Sequence, residues 1–253
     1  MKKVLFLGYE DCRILRFLKK QKRWKSFFRS EKISSEEISE INPDLVVSYG
    51  YRHILKSDAI AQCRDRIINL HISYLPWNRG ADPNLWSILE GTPKGVSIHM
   101  LDEGIDTGDI LFQKKVTFKD SESLSSSYDI LQEEIQDLFI KNWPSISQAN
   151  FRKIRKKQDL SLGSFHLKKE GQKILRDLSI KSWDLTVSEV KSRQDEQIIN
   201  EIQKIRAKNN THWMDVVKLA FKIAPDEARA IFKKIKYCDE RVNELLKELA
   251  DND

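Results

Sequence analysis

Cysteine is scarce, and its placement excludes more than its number does. The three cysteines, Cys12, Cys63 and Cys238, are far apart and odd in number. They form neither a metal-binding spacing nor a disulfide framework, which points to a reducing cytoplasm. Long apolar runs are missing too. No stretch approaches the ~18 residues of a membrane span. The run Val4-Leu5-Phe6-Leu7 behind Lys2-Lys3 is too short for a secretion signal and is cut by Glu10-Asp11, so it reads as a first β-strand. The turn after it, Leu7-Gly8-Tyr9-Glu10-Asp11, holds one glycine. A dinucleotide fingerprint needs several for close pyrophosphate approach, which excludes a nicotinamide enzyme. There is no long basic block and no aromatic-rich RNA motif. The net charge of +6 is modest for 253 residues, and many lysines are interleaved with glutamates as on a solvated helix surface. No nucleic-acid or membrane partner is expected.

What is present suits a soluble globular protein of one large or two modest domains, with 40% hydrophobic and 32% charged residues. The first third alternates strand and helix. Strands are expected at 3–8, 24–29 and 44–50. Helices are expected at 11–20, with Ile14, Leu15 and Leu18 on one face, from the Ser34-Ser35-Glu36-Glu37 start signal to Ile41, and at 57–63. That order argues a mostly parallel α/β sheet with right-handed crossovers.

The informative stretch is 67–110. Ile67-Ile68-Asn69-Leu70-His71 reads as a buried strand whose C-terminal end carries Asn69 and His71, two apart and therefore on one face. Ligands of α/β sheets bind beyond the carboxyl ends of the strands, so the two form a candidate catalytic pair. A loop rich in Pro, Gly and Asn follows, with Arg79 beside Gly80. Next come a helix from Pro83 to Glu90 and a strand, 96–101, running into the acidic turn 102–109.

Asn-x-His, then Ser-x-Leu-Pro-x-x-Arg-Gly-Ala-x-Pro, then a Gly-Val-x-Ile strand leading to Asp-Thr-Gly resembles the 10-formyltetrahydrofolate-dependent formyltransferases. The likeness runs over about residues 1 to 120. It implies a Rossmann-like formyltransferase core with a mostly parallel sheet. It also implies N10-formyltetrahydrofolate as formyl donor, no metal, and a catalytic trio of Asn69, His71 and Asp106, the Asp directly before Thr-Gly. In such a trio an amide N–H can stabilise an oxyanion, and an imidazole can donate to it or accept the amine proton. Which of His71 and Asp106 takes the proton stays open. The family's folate loop falls on 50–55, making Tyr51 and Ile54 pterin neighbours, with Asp102 and Asp106 beside the cofactor.

Residues 74–87 are most similar to the nucleotide-sugar N-formyltransferases, as is Gly163-Ser164-Phe165-His166. This implies a dideoxy aminosugar on dTDP as acceptor, dTDP-4-amino-4,6-dideoxyglucose for example, made for surface polysaccharide such as O-antigen. UDP and GDP sugars remain open. Trp77, Asn84 and Trp86 are candidates to shape the sugar pocket or to pack the loop; Arg79 contacts substrate or braces the loop; His166 and Lys168 are candidates to reach the nucleotide or sugar. The rivals are a methionyl-tRNA formyltransferase-like enzyme, a formyltetrahydrofolate hydrolase and, from another class, a non-catalytic binding protein of the same fold, against which the intact Asn69, His71 and Asp106 argue.

The core is expected over 1–160, with 161–253 a connector and helical region. The basic run 152–157 is either a solvated connector or a phosphate-facing edge. Four tail helices are expected: Glu196–Ala207, stopped by Asn209-Asn210-Thr211; His212–Ile223; one from Pro225 with Ile231, Phe232 and Ile235; and Asp239–Ala250 with Val242, Leu245, Leu246 and Leu249. Docking to the core, a homodimer interface and a partner module all remain open for this tail.

Overall fold

The computed structural model describes residues 1–148 and 151–250, without the side chains of Arg152, Leu246, Glu248, Leu249 and Ala250. The elements in order are β1 (Lys2–Gly8), α1 (Arg13–Lys19), β2 (Trp24–Arg29), α2 (Ser35–Ile41), β3 (Leu45–Tyr49), α3 (Ser57–Gln62), β4 (Ile67–His71), β5 (Arg79–Gly80), α4 (Pro83–Leu89), β6 (Gly95–Met100), β7 (Ile110–Lys115), α5 (Leu124–Ile146), β8 (Phe165–His166), α6 (Lys168–Asp177), α7 (Val187–Ile223) and α8 (Pro225–Ala250). Contacts gather into two compact units, Met1–Gln194 and Asp195–Asp253.

A six-stranded sheet in the order β2-β1-β3-β4-β6-β7 organises the first unit. β1–β2, β1–β3 and β3–β4 are parallel, as the strand–helix alternation requires, and β4–β6 and β6–β7 are antiparallel. Side chains alternate across β1. Val4 and Phe6 join α1 and α5 on one face, while Leu5 and Leu7 join α2 and α3 on the other. A strand covered on both faces is apolar at every position, which is why β1 and β3 lack a polar alternation. α1 buries Ile14, Leu15 and Leu18, and α2 starts on a capping box in which the Ser34 hydroxyl accepts from the Glu37 amide.

The second sheet, β5 paired in parallel with β8, is absent from the sequence expectation. It ties the 73–83 loop to residues 164–166 through Arg79 N–H to Ser164 O and Ala81 N–H to His166 O, each 3.0 Å. Residues 161–194 thus belong to the first compact unit.

The tail differs from the four helices expected, because α7 and α8 are two long ones. Asn209-Asn210-Thr211 does not stop α7. The Thr211 hydroxyl bonds back to Ala207 O at 3.1 Å inside the helix, where a cap would require the chain to leave it. Only the Ala224-Pro225 step interrupts the run, since proline removes a backbone donor. Among the described residues no helix is long and apolar enough to cross a membrane.

Candidate active site

The site forms where β4 leaves the sheet. Asn69 and His71 share a face of β4, and the antiparallel register sets His99 of β6 directly across from Asn69. After β6 the chain turns through Asp106, which takes a left-handed conformation (φ 53°) that Asp tolerates better than most residues. A Cβ on Gly108 would lie 1.9 Å from Met100 O, so the turn can close only with glycine there. Gln158 pins the same turn from outside, its Nε2 donating to Asp106 O at 3.0 Å and Gly108 O at 2.6 Å. The basic segment around it braces the strands: Lys156 and Ile110 exchange two backbone bonds of 2.8 Å, and Arg155 meets Asp65 at 3.2 Å and Asp109 at 3.5 Å.

The Asp106 carboxylate is the hub. Asn69 Nδ2 donates to Oδ1 at 3.1 Å and the Gly80 amide to Oδ2 at 3.0 Å. His99 Nε2 is 3.3 Å from Oδ1, and His71 Nδ1 is 3.6 Å from Oδ2. The side chains of Asp106, His71 and His99 are 12%, 10% and 2% exposed, so water screens these charges little. Burial pushes the Asp106 carboxyl up, but the His71 and His99 rings and the Gly80 amide outweigh it and hold the group well below the usual carboxylate range.

Both nitrogens of His71 face acceptors, since Nε2 is 3.2 Å from Asn78 O. A doubly protonated ring satisfies both; a neutral ring satisfies one. His99 directs Nδ1 to Met100 O at 2.7 Å and Nε2 toward Asn69 Nδ2 at 3.2 Å. Its ring therefore holds the Asn69 amide together with Asp106 Oδ1, the three atoms forming a triangle with sides of 3.1 to 3.3 Å. Sequence reasoning passed over His99, although it lies on a strand that was identified; only the β4–β6 register reveals that it meets Asn69.

Asn69, His71 and Asp106 line a cleft of about 360 Å³ with Tyr9, Tyr49, Tyr51, Asp82, Tyr128 and Gln132. Burial raises Tyr49 and Tyr128, the latter to about 12, so both phenols remain donors at neutral pH. Asp82, Ile72, Pro83 and Tyr128 also line an adjoining cavity of about 330 Å³ that includes Asn84 and Trp183. Asp82, raised by burial and opposed by the Lys168 charge, sits where the two spaces meet.

The remaining sequence candidates divide. Tyr51 lines the central cleft, its hydroxyl donating to Glu31 O at 2.8 Å. Ile54 is 86% exposed on the surface. Asp102 caps its own turn, accepting from Gly104 N–H at 3.2 Å and Thr107 Oγ1 at 2.6 Å. It lines a separate depression of about 400 Å³ with Arg64 and Arg155. Asn84 is buried, donating to Ser127 Oγ at 2.9 Å and Leu124 O at 3.2 Å. Trp86 and His166 form one stack, ring centroids 3.9 Å apart and 6° from parallel. Trp77 stacks on Tyr74 at 6.3 Å. The Arg79 guanidinium lies 6.0 Å over Phe165. Lys168 is exposed at the start of α6. Among the described residues, Arg79 Nε, Asn84 Oδ1 and Trp86 Nε1 are buried polar atoms with no hydrogen-bond partner, as are Ser26 Oγ and Gln158 Oε1 elsewhere in the fold.

Gly80 links the two halves. It has φ +90°, and an added Cβ would lie 2.3 Å from His166 O. Gly80→Ala is expected to destabilise the protein by more than about 1 kcal/mol and to lower its thermal midpoint. An unchanged midpoint would show that the β5–β8 pairing gives way freely.

The formyl transferase family profile matches residues 8–142, more than half of the chain. The methionyl-tRNA formyltransferases of Bacillus thuringiensis (strain Al Hakam) and Bacillus cereus (strain B4264) are each 31% identical over 145 residues, 57% of this chain and 46% of the relative. The chain thus spans about half the length of the curated relatives it matches. Among solved structures, the formyltransferase PseJ from Anoxybacillus kamchatkensis, in complex with UDP-4,6-dideoxy-4-formamido-L-AltNAc and tetrahydrofolate, is 40% identical. The match covers 74% of this chain and 97% of PseJ, with a TM-score of 0.68. A 4-N formyltransferase from Francisella tularensis is 21% identical over 75% of this chain and 85% of its own, with a TM-score of 0.61, a likeness of fold alone.

Proposed function

The chain belongs to the formyl transferase family, and from that premise we propose that it transfers a formyl group from N10-formyltetrahydrofolate to the 4-amino group of a nucleotide-linked 4,6-dideoxy aminosugar. The observation that carries the reading is the convergence of Asn69, His71 and Asp106 on one cleft beside a second cavity. The two spaces are each within the size range of small-molecule sites, and the four tyrosines of the cleft suit a flat heteroaromatic ring. The bound formyl folate supplies the electrophilic carbonyl carbon.

The residues of the chain then divide the work. Asn69 turns one amide N–H toward the oxygen on which negative charge develops, and His71 exchanges its contact with Asn78 O for one with the same oxygen. The proton released by the attacking amine passes to the His71–Asp106 pair and from it to N10 of the folate, so that tetrahydrofolate would leave as the C–N10 bond breaks. Asp106 orients both partners; His99 keeps the Asn69 amide in its donating orientation. Asn69→Ala is expected to lower kcat about 10²–10³-fold with KM little changed. A kcat within tenfold of wild type would remove Asn69 from this role.

The sugar reading is supported by PseJ, 40% identical with 97% of its chain covered, which holds a UDP-linked 4-formamido sugar. That relative favours UDP over the dTDP carrier expected from sequence. The free thiols of Cys12, Cys63 and Cys238 suit a reducing cytoplasm, where the formamido sugar would feed surface-polysaccharide synthesis. The test is an acceptor panel of UDP-, dTDP- and GDP-linked 4-amino sugars and methionyl-tRNA, read by mass spectrometry. Formylation of the UDP sugar is expected. Formylation of a dTDP sugar alone would overturn the nucleotide assignment; formylation of tRNA, or release of formate alone, would overturn the sugar reading.

A further inference from the structure

Behind the wall of the cleft lies a second polar cluster that the proposed reaction does not use. Its centre is Asn78, which is fully buried and takes a left-handed conformation (φ 53°) that Asn tolerates better than most residues. Every polar atom of Asn78 has a partner. Its amide N–H donates to Ser164 Oγ at 2.9 Å, and its carbonyl faces His71 Nε2 at 3.2 Å. In the side chain, Oδ1 accepts from Thr92 Oγ1 at 2.7 Å and Nδ2 donates to Glu90 Oε2 at 3.2 Å. A carboxylate only accepts, so Glu90 fixes which end of the amide is the nitrogen. The Ser164 hydroxyl donates to the same Glu90 oxygen at 3.0 Å. His166 Nε2 lies 3.0 Å from Glu90 Oε1, within ion-pair distance but not aligned as a hydrogen bond. None of Asn78, Glu90, Thr92 and Ser164 lines the cleft or the adjoining cavity.

We propose, resting on the formyl-transfer reading, that Asn78 and Glu90 are positioning residues for that reaction, with Glu90 acting through Asn78 to hold the His71 ring beside Asp106. The geometry centres on the segment Asn78-Arg79-Gly80. The Asn78 carbonyl meets His71, and the Gly80 amide donates to Asp106 Oδ2 at 3.0 Å, so three consecutive residues touch both members of the pair. A displacement of this segment therefore moves the ring and the carboxylate together. The β5–β8 pairing holds Arg79 and Gly80. Asn78 precedes that pairing, and its side chain supplies the anchor on that side. Glu90 caps the C-terminal end of α4, its amide bonded to Trp86 O at 2.9 Å, so the anchor is set on a helix end rather than on another loop. A misplacement of about 1 Å at a reacting group can cost about 10²-fold in rate, which gives this bracing a measurable effect on turnover.

The experiment uses the full chain with Asn78→Gly, Glu90→Ala and the two combined, assayed with the formyl folate and the UDP-linked 4-amino sugar. Glycine adopts a positive φ freely and keeps the carbonyl, so Asn78→Gly removes only the side-chain anchor. The Glu90 side chain is 32% exposed, and its truncation opens no closed cavity. Each single variant is expected to lower kcat about 10–10²-fold with KM little changed. Because Glu90 acts through Asn78, the double variant is expected to be no slower than Asn78→Gly. Glu90→Gln keeps an acceptor for Asn78 Nδ2 and is expected to recover most of what Glu90→Ala loses. With isotope-labelled histidine, the ring nitrogen signals of His71, assigned by their loss in His71→Asn, are expected to shift in both single variants. This readout needs no turnover. A wild type inactive on every acceptor would overturn the reaction, and the ring signals would still decide the anchor. Were Asn78→Gly unfolded on thermal melting, Glu90→Ala and Glu90→Gln decide on the same readouts. Unmoved ring signals, an unchanged kcat, or losses that multiply in the double variant each overturn the proposal. So does a raised KM at unchanged kcat, which would make this cluster part of substrate binding.

Discussion

His71→Asn is expected to lower kcat by about 10²–10⁴-fold, the range of a lost general acid–base group. The replacement keeps a planar polar side chain at a buried position, and its amide nitrogen, which superposes on Nδ1, can still donate to the Asp106 carboxylate, while the contact of Nε2 with Asn78 O is lost. It cannot take up a proton. If His71 donates to the developing oxyanion and shares the amine proton with Asp106, both contributions vanish together. The thermal midpoint reports separately on the fold and is expected to move little, because the contact with Asp106 is preserved. A kcat within tenfold of wild type, in a protein with an unchanged midpoint, would move the proton transfer away from His71.

Asp106→Asn is expected to cost activity on the same scale, about 10²–10⁴-fold, for a different reason. The carboxylate accepts from Asn69 Nδ2 and the Gly80 amide while facing His99 and His71. A carboxamide has one acceptor oxygen, and its NH₂ would confront at least one of these donors. The variant also changes the dependence of stability on pH. Because the folded-state carboxyl lies below its unfolded value, the unfolded chain binds the proton more readily. The ionised Asp106 therefore contributes its stability above the ordinary Asp pKa of about 3.9, and the contribution is lost as pH falls through and below that value. Urea unfolding across this range is expected to show a steep acid limb in the wild type and a shallower one in Asp106→Asn. Parallel limbs would mean that Asp106 carries no such charge in the folded state.

The parts of this site that could be read in the sequence are those set by local pattern. Asn69 and His71 stand two apart at the end of an apolar run, and a strand can place such residues on one face only. Asp106 is marked only through the family resemblance, as the Asp directly before Thr-Gly; local pattern alone makes it a turn former. His99 escaped because its role depends on the antiparallel β4–β6 register, which pairs residues 30 positions apart. The same holds for β5–β8: two residues pairing with two others leave no periodic signal, yet they set Gly80 against Asp106 and His166 beside Trp86. Trp86 and His166 were separate candidates, and their stacking is a tertiary fact. In the tail, Asn209-Asn210-Thr211 has the composition of a helix stop, but capping residues stop a helix only where the chain departs from it, and here the helix continues.

The proposed function is transfer of the formyl carbon of a folate to a sugar amine at the Asn69–His71–Asp106 cluster. The most direct measurement is a single-turnover reaction with isotopically labelled N10-formyltetrahydrofolate and a UDP-linked 4-amino-4,6-dideoxy sugar, run with the wild type and with Asp106→Asn. The label is expected to appear as one formyl group on the sugar nitrogen with the wild type and to be nearly absent with the variant. Label recovered only as formate, or transferred equally well by both proteins, would contradict it.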